Sequence, residues 1–457
     1  VKFIAGAGVG ALFTPAPWKL IRDAALLSQD WPGIPHPLLG EIKEKTTVCT
    51  LCAAGCALRA KCVGEQPIAL AGVGGGLCAV GVTAHQLPYW PERVKHGPVE
   101  EAKAAVARLK PADKVAVLDL RPGRTASALY RKAMAALPDG VYLAPQQPEV
   151  AINLSAAKTV VSIGAPLLDG WIAPAKAFAA RGGFKLIQIE REFSRTAALA
   201  DEWLPEGDAA TIARRAEGPV LVIGRTMTAE IVALNKEVGG WGKTIMALPR
   251  AGGAALPDVP DGSIKLLYID ECNPGAYIPW PQIEPKLAKD AVTIAFAWSK
   301  EGYARHATFV LPAPVFPEAL DDVPNGGVTT PLVKAPEWTV DPVEFIAKAN
   351  LAEAMKERAA STLPEGFHPV NPETAWIGPM SSKLSRESNL LLAPGQVAVN
   401  PSSGLAEKSP GFLQTGRGEV AVQIVHDATI PPGGFRFLPT PDILDICSNE
   451  KPKVVAA

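Results

Sequence analysis

The chain lacks an excess of charge of either sign. Its 45 Lys and Arg residues stand against 46 Asp and Glu in 457 residues, a formal net charge of −1. A nucleic-acid binder concentrates basic residues, so no nucleic-acid partner is expected. Long apolar runs are missing too: no segment reaches the roughly 18 consecutive residues that span a bilayer. Seven cysteines are too few to staple a chain of this length through disulfides. Gly-x-Ser-x-Gly, His-Glu-x-x-His and the P-loop are all absent, which removes the commonest hydrolase and nucleotide-binding signatures.

What is present reads as globular. Apolar residues make up 48% and charged residues 20% of the chain, enough to build cores and to exclude disorder throughout. The 41 Gly and 44 Pro mark many turns and connectors.

The cysteines are informative by position. Five fall between Cys49 and Cys78, with Cys272 and Cys447 elsewhere. Cys49-Thr-Leu-Cys52-Ala-Ala-Gly-Cys56 has the spacing C-x2-C-x3-C, and Gly76-Leu-Cys78-Ala-Val-Gly81 follows. Three thiols in one short loop and a fourth from further along suit a [4Fe–4S] cluster on Cys49, Cys52, Cys56 and Cys78. Structural zinc and a pair of disulfides use the same residue types and remain alternatives. Gly55 lets the backbone turn closely around such a centre. Cys62 lies in the alternating stretch Ala57–Val63 and reads as a buried structural thiol, as do Cys272 and Cys447.

Along the chain, residues 1–45 read as a signal-like anchor and connector. The run from Phe3 to Phe13 is apolar and rich in small residues, and Pro- and Trp-containing segments follow it. An apolar run of this length can dip into a membrane interface but not cross it. Residues 46–98 hold the cysteines. From about residue 100, buried strand-like runs alternate with helical stretches: Lys114–Leu120, Lys158–Gly164, Phe184–Glu190, Pro219–Gly224, Ile264–Asp270 and Ala291–Ala297. That alternation predicts βαβ units and parallel sheets, an α/β class with two Rossmann-like lobes. The expected lobes are 99–145 with 219–345, and 146–218. A helix is expected over 341–360, and residues 346–457 read as a linker and a β-rich, barrel-like C-terminal domain.

The cysteine spacing, with Gly76-Leu-Cys78-Ala-Val-Gly81 and Tyr89-Trp-Pro-Glu-Arg93, resembles the N-terminus of the molybdopterin oxidoreductase family. Val160–Gly164 with Ala179–Arg191, Ala200–Pro205 with Glu206–Ala210, Ala307–Pro312 with Glu318 and Asn325, and Val397–Asn400 with Gly416–Val425 resemble later family segments in order. The resemblance implies a small iron–sulfur domain, two α/β lobes and a C-terminal barrel-like domain. It also has departures. Val80 stands where the family carries a Lys, Glu190-Arg191-Glu192 replaces an Asp-Pro-Arg loop, and Glu206-Gly-Asp208 replaces a Pro-Gly-Thr-Asp turn. These departures resemble the cofactor-poor subunits of periplasmic quinone-linked complexes of the menaquinone reductase and alternative complex III type. The resemblance therefore implies an electron-transfer or scaffold subunit with one [4Fe–4S] cluster, no molybdenum or pterin, and no catalytic residue of its own. The implied partners are a multihaem cytochrome c subunit, a ferredoxin-like iron–sulfur subunit and an NrfD-like membrane subunit, on the periplasmic side of the inner membrane. The alternative is a catalytic molybdenum or tungsten bis-pterin oxidoreductase acting on a small oxyanion or formate.

The remaining features read as structural. Gly72-Val-Gly-Gly-Gly76 lacks a strand–helix setting for phosphate and reads as a close approach to the cluster. His306 beside Arg305 reads as a hydrogen-bonded structural residue, Asp321-Asp322 as a solvated turn, and Trp280 and Trp298 as core or interface anchors.

Overall fold

The computed structural model of the chain describes residues 40–457 apart from positions 53, 146–149, 168–170, 173, 192, 249–251, 273–276, 325, 359–362, 371–394, 439 and 448–449. The expected N-terminal anchor, Glu192 and Asn325 lie outside the described residues.

The cysteine domain is built on an antiparallel sheet of Ile42–Val48, Ala57–Val63 and Gln66–Gly72, in that order. Alternation along Ala57–Val63 turns Leu58, Ala60 and Cys62 inward while Arg59 and Lys61 face out. Cys62 is therefore a core thiol, as its setting predicts.

The first lobe is a five-stranded parallel sheet in the order Phe309–Pro312, Leu287–Ala297, Ile264–Glu271, Lys114–Asp119, Gly140–Leu143. Its central strands are covered on both faces, which is why they read as continuous apolar runs instead of alternating ones. The helix Thr125–Ala135 packs on one face through Ala126, Tyr130 and Met134. Trp280, Tyr303 and Leu267 fill the other.

The second lobe is a four-stranded parallel sheet in the order Val220–Gly224, Thr159–Ile163, Lys185–Ile189, Glu202–Leu204. The expected boundary at residue 219 is thereby corrected. Val220–Gly224 pairs with Thr159–Ile163, and Ile245–Ala247 pairs with Val150–Ile152, so the second lobe runs on past Ala247. An apolar run carries no mark of which parallel neighbour it will choose, so sequence alone misplaces it.

The single helix expected over 341–360 is two short ones, Pro342–Ala347 and Leu351–Lys356. Lys348 takes a left-handed φ of 51° and ends the first; the Asn350 side chain accepts from Glu353 N and starts the second. The β-rich C-terminal region is a five-stranded mixed sheet: Phe435–Phe437, Gln396–Val399, Gly418–His426, Pro410–Thr415, Lys453–Ala456. Among the described residues no helix is long and apolar enough to cross a membrane.

Candidate functional site

The cysteine loop closes on itself: Cys49 N donates to Cys56 O at 2.9 Å. Gly55 makes this turn with a φ of +57°, and a Cβ there would meet Val323 Cγ2 at 2.7 Å. Cys78 is the N-cap of Ala79–Thr83, its Sγ accepting from Gly81 N at 3.4 Å. None of the seven cysteines forms a disulfide. Cys49 and Cys56 are buried, whereas Cys52 and Cys78 are half-buried. Burial pushes the Cys49 thiol well up, and like-charge repulsion from Cys52, Cys78 and Cys56 adds to it. Cys56 is raised for the same reasons, burial first and then Cys52 and Cys78. The fold thus brings the four cysteines singled out from the sequence into one another's electrostatic reach. Among the described residues no group of three or more His, Cys, Asp or Glu is set to hold a metal ion. The thiols are gathered, but not drawn in around one small ion. The Gly72–Gly76 segment folds tightly on itself, since a Cβ on Gly72 would meet the Gly76 carbonyl carbon at 2.5 Å.

The loop is clamped from the first lobe. The hairpin of Asp321–Asp322 and Val328–Thr329 lies over it. Thr329 Oγ1 donates to Val48 O at 2.6 Å and sits 3.0 Å from the Thr50 hydroxyl, and Thr330 N donates to Thr47 Oγ1 at 2.8 Å. Arg121 Nη1 reaches Thr50 O at 2.9 Å and Asp321 Oδ2 at 2.8 Å. The solvated turn expected at Asp321-Asp322 is corrected: the two carboxylates are 4% and 1% exposed. Their partners explain why. Arg121 and Arg124 hold Asp321, while Thr125 N, Thr125 Oγ1 and Arg358 Nε hold Asp322. All of these except Arg358 lie about two hundred residues away in sequence, out of reach of any local reading.

The same arginines close the crevice beyond the carboxyl ends of Lys114–Asp119 and Ile264–Glu271. In an open parallel sheet, ligands bind at such a place, where strand order reverses. Here Arg124 Nη2 lies 3.0 Å from Asp119 Oδ1 and 2.9 Å from Asp270 Oδ2. Ser127 Oγ and Tyr142 OH donate to Asp119 Oδ2, and Tyr130 OH donates to Asp270 Oδ2 at 3.1 Å. Burial pushes Asp270 up, but Arg124 and Arg121 outweigh it and hold the carboxyl well below its ordinary range. Next to this network lies a cavity of about 920 Å³, lined among others by Lys103, Arg121, Arg124, Asp270, Cys272 and Asp321. Sequence reading missed Arg121, Arg124, Asp119 and Asp270. The signal was there in Val117-Leu-Asp119 and Tyr268-Ile-Asp270: an acid closing a wholly buried strand needs a counter-charge.

In the second lobe, Glu190 follows Lys185–Ile189 and accepts from the Ser194 hydroxyl, Arg191 pairs with Glu206 at 2.9 Å in solvent, and Asp208 caps Ala209–Arg215. These are local structural roles. His306 stacks on Trp280 with centroids 4.4 Å apart and planes 4° apart, beside Asp445 of the C-terminal region.

No family model matches the chain. The molybdopterin-binding-like subunit of menaquinone reductase from Nitratidesulfovibrio vulgaris is 34% identical over 101 residues, 21% of this chain and 15% of that protein. The match spans well under two thirds of the relative's length. Among solved structures, acetylene hydratase from Pelobacter acetylenicus is similar with a TM-score of 0.59. The likeness covers 86% of this chain and 92% of that one at 12% identity, and is one of fold. The chain thus shares its fold with acetylene hydratase and, over about a fifth of its length, is similar in sequence to the menaquinone reductase subunit.

Proposed function

We propose that the chain is a non-catalytic electron-transfer and scaffold subunit of a menaquinone-linked complex, carrying one [4Fe–4S] cluster on Cys49, Cys52, Cys56 and Cys78. The observation that carries this reading is the gathering of four cysteines, none in a disulfide, in one small domain. Four cysteines are the donor set such a cluster takes, so the residues fit the group. When bound, the cluster supplies one-electron transfer. The chain's own part is to bury Cys49 and Cys56 and to leave Cys52 and Cys78 half open toward a partner. At the crevice beyond Asp119 and Asp270, the Arg124 guanidinium is already engaged by three buried carboxylates of this chain. The partial relative, named as a subunit of menaquinone reductase, supports assembly with other subunits. In this reading these are a multihaem cytochrome c, a ferredoxin-like iron–sulfur subunit and an NrfD-like membrane subunit, on the periplasmic face of the membrane.

One observation favours a second reading. The cavity of about 920 Å³ beside Arg121 and Asp270 is large enough for a cofactor, as a molybdenum or tungsten bis-pterin oxidoreductase of small oxyanions or formate requires. Anaerobic purification followed by metal, sulfide and pterin analysis decides between the two. Four irons per chain without molybdenum, tungsten or pterin are expected. Stoichiometric molybdenum or tungsten with extractable pterin overturns the first reading.

A further inference from the structure

Arg121 connects the cysteine loop to the charge network of the first lobe. One nitrogen of its guanidinium, Nη1, donates both to the Thr50 carbonyl, one residue from Cys49, and to Asp321. The side chain is one-tenth exposed, and its Nε–H is buried without a partner. Asp321 does not depend on Arg121 alone, because Arg124 Nη1 reaches its other oxygen at 3.3 Å. Removing the Arg121 charge therefore leaves the Asp321 carboxylate in place and makes the surroundings of the loop more negative.

We propose that Arg121 is a positioning residue for the cluster: it fixes the Thr50 carbonyl, and its cation raises the cluster's reduction potential. The inference rests on the reading that Cys49, Cys52, Cys56 and Cys78 hold a cluster. Reduction adds one electron to the cluster, hence one negative charge. A cation held near it in a poorly solvated setting stabilises the reduced form more than the oxidised form. The Thr329 hydroxyl also holds this loop, through Val48 and Thr50, but carries no charge. The two clamps thus separate charge from restraint.

The test is an EPR-monitored redox titration of the full chain, prepared anaerobically and poised with dithionite, with iron measured on each sample. Arg121→Gln is expected to lower the cluster midpoint, Arg121→Lys to restore most of it, and Thr329→Val to speed iron loss at an unchanged midpoint. An Arg121→Gln midpoint equal to wild type at equal iron overturns the inference. So does Thr329→Val if it shifts the midpoint as far as Arg121→Gln, since loosening alone then accounts for it. Should Arg121→Gln fail to hold iron, the lysine variant decides: a wild-type midpoint supports the role of charge, and a lowered one overturns it. A wild-type chain without iron removes the cluster reading itself, and the inference with it.

Discussion

Arg124 and Asp270 face each other at 2.9 Å, Nη2 to Oδ2, with both side chains buried. The pair ties the loop after Lys114–Asp119 to the end of the neighbouring strand Ile264–Glu271, across the reversal point of the sheet. Arg124 also carries Asp119 and Asp321. Replacing it with Ala takes a cation from three buried carboxylates, of which only Asp321 keeps an arginine, Arg121, in a direct ion pair; Asp119 and Asp270 keep neutral donors. Loss of one member of a buried ion pair costs about 3–5 kcal/mol. The Asp270 carboxyl, now held low by Arg124 and Arg121, then loses its main counter-charge and burial drives it up. Arg124→Ala is therefore expected to lower the denaturant midpoint at pH 7 and to recover part of the loss at pH 5, where the carboxyl can take a proton. Equal losses at both pH values would show that charge is not what Arg124 supplies.

Glu271, next along the same strand, titrates in the opposite sense. Burial pushes its carboxyl up to about 8, although Tyr303 N and Ala304 N both donate to it. The folded chain thus holds this proton over a range where an unfolded chain, near the ordinary 4.5, has released it. Stability from this group is full below about 4.5 and falls as pH rises to about 8. Glu271→Gln keeps an acceptor and removes the titration. Its unfolding free energy is expected to fall less than that of wild type between pH 5 and 8. Parallel pH profiles for the two proteins would refute the assignment.

These two acids show how far the sequence reaches. The strands that carry them were legible as buried apolar runs, and the cysteines as one local group. Leu58, Ala60 and Cys62 fell on the inner face that alternation foretold. Long-range choice was not legible. Val220–Gly224 pairs with Thr159–Ile163 because of where connecting helices lead it, and an apolar pentapeptide fits either lobe. Asp321 and Asp322 looked solvated because their arginine and threonine partners come from distant elements. Charge burial is decided by tertiary contacts, and a local window contains only half of each pair.

The cysteine loop offers a test by substitution. Cys52→Ala removes one thiol of the proposed four and is expected to lower bound iron and weaken the fold, since ligation and folding are coupled. Cys62→Ala serves as the control. That thiol packs in the sheet core, and its loss is expected to leave iron content unchanged. Gly55→Ala needs no ligand change: a φ of +57° and a Cβ 2.7 Å from Val323 Cγ2 strain the turn between Cys52 and Cys56. A cost of about 1–3 kcal/mol and reduced iron are expected. Full iron in Cys52→Ala, with an unaltered EPR signal, would show that this thiol is not a ligand.

Asp445 joins the C-terminal region to the first lobe. Its Oδ1 accepts from Tyr277 OH and Trp280 N, both at 2.9 Å, and its Oδ2 accepts from Arg305 Nη2 at 2.8 Å. His306 lies 3.8 Å from the same carboxylate, stacked on Trp280. Burial, then Arg305, lowers the His306 pKa, so the ring is neutral in the docked state at neutral pH. Asp445→Ala removes three donors' shared acceptor at once and leaves Arg305 with Asp442. Undocking is the cheapest response, because the C-terminal sheet keeps its own core of Val397, Leu413 and Ile424. Limited proteolysis should then release the C-terminal region from the variant at protease levels that leave wild type intact, while the cysteine domain keeps its iron. Histidine adds a sign to this result. Its docked pKa is depressed, so acid favours the undocked state in which the ring charges freely. Release from wild type should become easier as pH falls below the ordinary histidine value of about 6.5, and His306→Phe should flatten that dependence while keeping the stack on Trp280. A release rate independent of pH in wild type would place the titrating group elsewhere.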